Sequence, residues 1–195
     1  MAGKGTRAPA AELAFRWRGG RPALDFTATV GERWRGRFER LREPADLARW
    51  FGEAGLTDAA VAVSPARLRQ ARQLREALYR LFTAVRTAAA PNPADVDLVH
   101  RWATRPAPGP GLMLLGDRLA PAPAPPDATA LLTAVARDAV DLVTGPLAAR
   151  IRECDRPDCA LLFVDESRAG ARRWCSMDTC GARSKMSVYR SRHGR

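Results

Sequence analysis

From Leu41 onward the apolar positions recur with the spacing of helices rather than strands. Leu47, Trp50 and Phe51 share one face of a segment that begins near Pro44 and stops before Gly55. A proline in the first turn followed by spacings of three and four predicts an amphipathic helix. The longest periodic run opens at Ser64-Pro65 and reaches about residue 89. Leu74, Leu78, Leu81, Phe82 and Val85 form its stripe, with arginines opposite. Asn92-Pro93 joins a capping residue to a first-turn proline and starts a helix ending near Trp102. A further helix, about 127–143, carries Leu131, Leu132, Val135, Ala139, Val140 and Val143 on one side, and Gly145-Pro146 stops it. Between the last two helices, Leu112–Leu115 and Arg118–Ala120 flank Gly116-Asp117 and predict a small hairpin, although Gly-Asp is a weaker turn signal than Asp-Gly. Residues 1–12 read as a flexible lead, 105–111 as a loop and the proline run 121–126 as a stiff connection.

The last forty residues follow none of these periods. They hold all four cysteines as two C-x-x-x-x-C pairs, Cys154/Cys159 and Cys175/Cys180, with fifteen residues between the pairs. Four thiolates suit a tetrahedral Zn²⁺, which imposes no geometry of its own. Each pair closes a short turn, and two turns complete a cage that stabilises a segment too poor in apolar surface to fold alone. Two disulfides are a competing reading, but they need an oxidising compartment, and the first residues lack the apolar core of a signal peptide. Four unrelated thiols would not be expected to fall as equal pairs. The expectation is one zinc ion per chain, in the cytoplasm. His100 and His193 are not needed as ligands.

The residues around the cysteines say more. Phe163, Asp165, Ser167, Arg168, Arg172, Arg173, Trp174, Cys175, Ser176, Met177, Cys180, Gly181, Arg183, Lys185, Tyr189, Arg190 and Arg192 stand where a C-terminal zinc-finger pattern has the same residue types. This segment resembles the CGNR zinc finger, named for the tetrapeptide at its last cysteine. Ala182 and Ala169 replace asparagines usual in that pattern. Upstream, Gly20, Leu24, Asp25, Phe26, Thr29, Leu41, Pro44, Leu47, Trp50, Gly55 and Leu56 resemble the ABATE-type domain that precedes such fingers, with Ala28 in place of an asparagine. The two resemblances imply a stress-induced transcription regulator.

Charge agrees with an acidic partner. The 195 residues carry a formal +11, of which residues 168–195 contribute +7 and residues 1–49 contribute +5, leaving the middle at −1. Basicity gathered at two places points to nucleic acid, while an Arg-rich composition by itself is the alternative. The final helix is predicted over about Asp178–Arg192, with Ala182, Met186 and Tyr189 in a stripe packed over the zinc site and Trp174. Arg183, Lys185, Arg190 and Arg192, with Arg172 and Arg173 before Cys175, are the DNA-binding candidates. The competing role for these arginines is to offset the charge of a zinc tetrathiolate. In the N-terminal domain, Asp25 and Thr29 are candidates for a small-molecule effector, against helix capping or pairing with Arg21 for Asp25. No phosphate-binding glycine loop, nucleophile elbow or zinc-protease motif is present, and zinc held by four cysteines leaves no position for water, so no enzymatic activity is expected. No apolar run approaches the length of a membrane span.

These signals predict a mainly α protein with a minor β hairpin: a helical domain at 13–148, expected to keep its fold on its own, and a four-cysteine module at 149–195. A module that binds protein or small ligands, with a purely structural finger, is the alternative to DNA binding.

Overall fold

The structure, a computed structural model, describes residues 13–33, 38–106, 111–122 and 127–193, the side chains of Pro121, Val188 and Arg192 excepted. The expected lead at 1–12, part of the 105–111 loop and most of the proline run lie outside those residues.

Four helices appear where the periodicity places them, and a short one precedes them. Helix α1, Pro22–Thr27, is followed by α2, Pro44–Glu53, α3, Pro65–Thr87, α4, Pro93–Ala103, and α5, Ala128–Thr144. Their starts are fixed by local chemistry. Ser64, Asn92 and Asp127 each accept a backbone N–H of the first turn, satisfying donors that a helix end leaves unpaired. At α2 the buried Asp46 carboxylate reaches back to the N–H groups of Arg42 and Glu43 at 2.8 and 3.0 Å.

The long α3 runs through the centre, in contact with α1, α2, α4 and α5. Leu74, Leu78 and Phe82 are fully buried, and Phe26 of α1 meets Trp50 of α2 with ring centres 4.8 Å apart. The stripes needed two corrections. On α5, Val140 faces outward and Leu142 takes the core position, because the buried arc centres on Leu132, Val135, Ala136 and Ala139 and turns past Val140. On α3, Arg75 is not opposite the core but only 3% exposed. Its guanidinium clasps both oxygens of Glu39 at 2.7 Å and donates to the Thr29 hydroxyl at 3.2 Å. A buried cation persists only with such full pairing.

The β content is three two-stranded antiparallel pairs. Strands β1, Val30–Gly31, and β2, Phe38–Glu39, bring Glu39 to Arg75. The expected hairpin is β3, Gly111–Leu115, with β4, Arg118–Ala122. Gly116, at φ 66°, fills the first place of its two-residue loop, as a type II′ turn requires. The third pair, β5, Ile151–Glu153, with β6, Leu162–Val164, had no signature in the sequence. It begins the zinc module and also completes the helical core. Ile151, Leu162 and Val164 are buried in the same cluster as Leu24, Leu74 and Leu132, so the module contributes more apolar area to that core than expected.

Candidate metal centre

The turn between β5 and β6 supplies the first two cysteines. The Cys154 N–H extends the ladder to the Leu161 carbonyl at 3.0 Å, and the Cys159 N–H closes the turn on the Arg156 carbonyl at 3.0 Å. The second pair is built on a wide turn, Met177–Gly181, that leads into helix α6, Ala182–His193. Ser176 caps that turn, its hydroxyl accepting from Thr179 at 3.2 Å and its carbonyl from Gly181 at 2.9 Å. Gly181 packs closely here: a Cβ would lie 3.3 Å from the Met177 sulfur, which would have to shift by a few tenths of an ångström to admit it.

All four Sγ atoms fall within 4.8 Å of one another, with Cys175 to Cys180 at 3.5 Å and Cys159 to Cys175 at 3.9 Å. A tetrahedron with Zn–S bonds of about 2.3 Å has sulfurs about 3.8 Å apart. The cage therefore fits zinc, and the cysteines are free thiols rather than disulfides. Hydrogen bonds with Cys154 and Cys175 push the Cys159 thiol well above the usual range. Burial, with the charge of Cys175 beside it, pushes Cys180 up to about 12, while hydrogen bonds from Cys159 and Cys175 draw Cys154 far down. So crowded a set can be fully ionised only around a cation. The four cysteines hold one Zn²⁺ in a closed structural site.

The loop between the cysteine pairs is held by Asp165, which is fully buried. One of its oxygens accepts from the Ser167 N–H and hydroxyl, the other from the Arg172 N–H at 2.8 Å. These bonds, led by that from the Ser167 hydroxyl, keep its carboxyl below the usual range. The Asp165 and Ser167 of the sequence pattern are thus the internal bracing of the finger.

The six DNA-binding candidates separate. Arg172 is committed to the fold: its Nε donates to the Trp174 carbonyl at 2.9 Å, an Nη donates to the Cys175 carbonyl, and the guanidinium lies over the Phe163 ring. Arg173 is exposed, paired with Asp155 at 2.7 Å. Arg183, Lys185 and Arg190 project from α6 into solvent with no ion pair among the described residues. The side chain of Arg192 lies outside the described set. The stripe predicted to pack over the zinc site does not: Met186 is 52% and Tyr189 59% exposed, and Tyr189 stacks on His193 instead. Helix α6 leaves the module as an open rod, touching mainly the turn before it.

Both effector candidates are committed to internal hydrogen bonds. Asp25 Oδ1 accepts the N–H groups of Arg18 and Gly19 at 2.9 and 2.7 Å, and burial raises its carboxyl to about 6. Its expected partner Arg21 is bonded to Asp138 and Asp141 of α5. The Thr29 hydroxyl donates to the Phe26 carbonyl and accepts from buried Arg75. A cavity of about 220 Å³ lies elsewhere, at the junction with the finger, lined among others by Thr27, Ala28, Arg40, Arg156, Cys159 and Arg183. Sequence reasoning missed it because its walls come from segments more than a hundred residues apart.

Compared with known proteins, residues 20–146 match the family model ABATE, described as "Putative stress-induced transcription regulator", and residues 150–193 match the CGNR zinc finger. Neither family is an enzymatic one. No curated protein matches the chain. No helix among the described residues is long and apolar enough to cross a membrane.

Proposed function

Because this chain belongs to the ABATE family and closes with a CGNR zinc finger, we propose that it is a stress-responsive transcription regulator whose finger grips DNA. In this reading residues 13–148 sense or recruit and residues 149–195 bind DNA, in the reducing cytoplasm where thiols stay available to zinc. The observation that carries it is the exposed basic helix α6. Arg183, Lys185 and Arg190 are exposed with no ion pair among the described residues, Arg183 also lining the junction cavity beside Asp158 and Cys159, Arg192 follows in sequence, and the exposed Met186 and Tyr189 offer apolar contact beside them. A cage that needed these cations would hold them inward, as it holds Arg172.

Zinc has no chemical step to perform in this site: when bound it fixes the two cysteine turns and thereby aims α6. Arg172 and Asp165 brace the loop between the turns, and the helix cations neutralise phosphates, which supplies affinity and salt dependence while base contacts supply specificity. The test is a gel-shift screen of the zinc-loaded protein against its own genomic fragments at two salt concentrations. Retention of particular fragments, weakening steeply with salt, is expected; no retention at either salt would end this reading.

A second reading, a small-ligand module with a purely structural finger, is favoured by the junction cavity. An effector held there would touch both the body and the finger. A thermal-shift screen of small organic acids and phosphates addresses it directly.

A further inference from the structure

Helix α6 is bare along most of its length. Ser184 is half-buried, and every other side chain described on Ala182–His193 is exposed. A helix of this length is marginal alone in water, so one this bare stands to gain from a partner.

Its faces are not equivalent. At 3.6 residues per turn, Ala182, Met186 and Tyr189 fall in one stripe, and Ser184, the half-buried position, lies roughly opposite. Arg190 stands roughly 70° to one side of the stripe and Lys185 roughly 70° to the other. Arg192 follows two turns on at the Lys185 register. Cations therefore flank the apolar stripe on both sides. Tyr189 is also held in place. Its ring stacks on His193 with centres 4.3 Å apart, and the His193 Nδ1 donates to the Tyr189 carbonyl at 3.0 Å.

A DNA duplex matches this arrangement. The major groove is about 12 Å wide, the diameter of a helix with its side chains, and phosphates wall it on both sides. A helix set lengthwise in it needs cations at both flanks and, between them, a face that meets base edges. The apolar feature of those edges is the thymine C5 methyl. A protein surface could also cover Met186 and Tyr189, but it has no need of cations on both sides of them, and residues 168–195 carry eight Lys/Arg against one acid.

We propose that Met186 and Tyr189 are the specificity-determining residues: α6 enters the major groove with its Ala182–Met186–Tyr189 stripe on the base edges and Met186 against a thymine methyl. Arg190 and Lys185 reach the phosphates of opposite strands. His193 is a positioning residue that fixes the Tyr189 ring. The inference rests on the reading of α6 as the helix that grips DNA, and adds which of its faces reads sequence.

The test is selection from randomised duplex DNA by the full-length, zinc-loaded protein, then fluorescence anisotropy on the enriched duplex and on an unrelated one. An enriched sequence containing thymine is expected. Met186→Ala and Tyr189→Ala should each lower the preference for the enriched duplex by roughly fourfold or more. Salt slope, zinc content and melting temperature should stay unchanged, because neither variant removes a charge or a buried contact. Lys185→Gln should instead weaken both duplexes alike and make the slope shallower. Replacing the contacted thymine by deoxyuridine, which lacks only the methyl, should cost the unmodified protein about fourfold and cost Met186→Ala nothing. His193→Ala should lose part of the preference that Tyr189 supplies, and His193→Phe, which keeps a ring to stack on, should retain it. No binding of either duplex by the unmodified protein would overturn the DNA reading and this inference with it. Salt-sensitive binding with no enriched sequence would overturn this inference alone. So would alanine variants that keep the full preference, or a deoxyuridine penalty that survives in Met186→Ala, leaving the stripe to a protein partner.

Discussion

The backbone N–H of Val164, in the zinc module, donates to the carbonyl of Gly19, at the entrance to α1, at 2.9 Å. Beside it Arg18 reaches the Thr179 hydroxyl at 3.1 Å, and Arg86 of α3 pairs with Glu153 of β5 at 2.7 Å. The module is stitched to the body on both sides of its first cysteine pair and again within the second.

Truncation at residue 149 should therefore be costly, contrary to the expectation from the sequence. Removing Ile151, Leu162 and Val164 uncovers the core around Leu24 and forfeits about 5 kcal/mol of apolar burial. The truncated protein is expected to lose a cooperative thermal transition, or to melt far below the full chain. A truncated protein melting as sharply and as high as the full chain would show instead that residues 13–148 are self-sufficient.

Replacing Cys175 by Ser should release the zinc and unfold the finger, because structural zinc supplies on the order of 10 kcal/mol to modules of this size. The pH dependence has a definite sign. Cys159 and Cys180 lie above the usual thiol range in the metal-free cage, so they are protonated at neutral pH and zinc must displace their protons. Apparent zinc affinity should rise with pH, and loading should release protons. Chelator competition and calorimetry in buffers of differing ionisation enthalpy measure both; an affinity independent of pH would contradict the tetrathiolate cage.

Asp25 gives a second pH prediction. Its folded value of about 6 lies above the ordinary 3.8, so its favourable contribution is fully present below about pH 4 and is lost as pH rises through 6. The shift corresponds to about 3 kcal/mol at most. Asp25→Asn keeps an oxygen to accept from Arg18 and Gly19 without the buried charge. It should raise the melting temperature at pH 7 and leave it nearly unchanged at pH 4. A variant less stable at pH 7 than the unmodified protein would mean that the charge itself is needed.

The cations of the finger should split by role. Arg190→Gln with Arg192→Gln is expected to leave zinc content and stability unchanged and to weaken DNA binding. The log–log salt slope should become shallower by about 0.9 for each phosphate that is no longer neutralised. Arg172→Gln should do the opposite first, loosening the loop whose carbonyls at Trp174 and Cys175 it holds. Fluorescence anisotropy against salt, with metal analysis of each variant, separates the two. Equal salt slopes for the double variant and the unmodified protein would remove α6 from the interface. Ala182 is exposed at the start of that helix, so Ala182→Asn should alter binding more than folding.

The sequence by itself determined what local rules govern. Caps and first-turn prolines placed α2 to α5, a Gly-led two-residue loop placed the β3–β4 hairpin, and cysteine spacing named the zinc ligands, because each of these is decided within a few residues of chain. Tertiary structure decided which face of each element meets what. Arg75 sits on the core side because Glu39, thirty-six residues away, arrives to pair with it. Asp25 is held by backbone N–H groups rather than by Arg21, because α5 brings Asp138 and Asp141 to that guanidinium. A helical wheel could group Ala182, Met186 and Tyr189 but could not say that Met186 and Tyr189 would stay exposed rather than cover the zinc site. Nor could periodicity show that three-residue strands at 151 and 162 would complete a core begun at Leu24: burial is a property of surfaces brought together, and segments that short carry no period of their own.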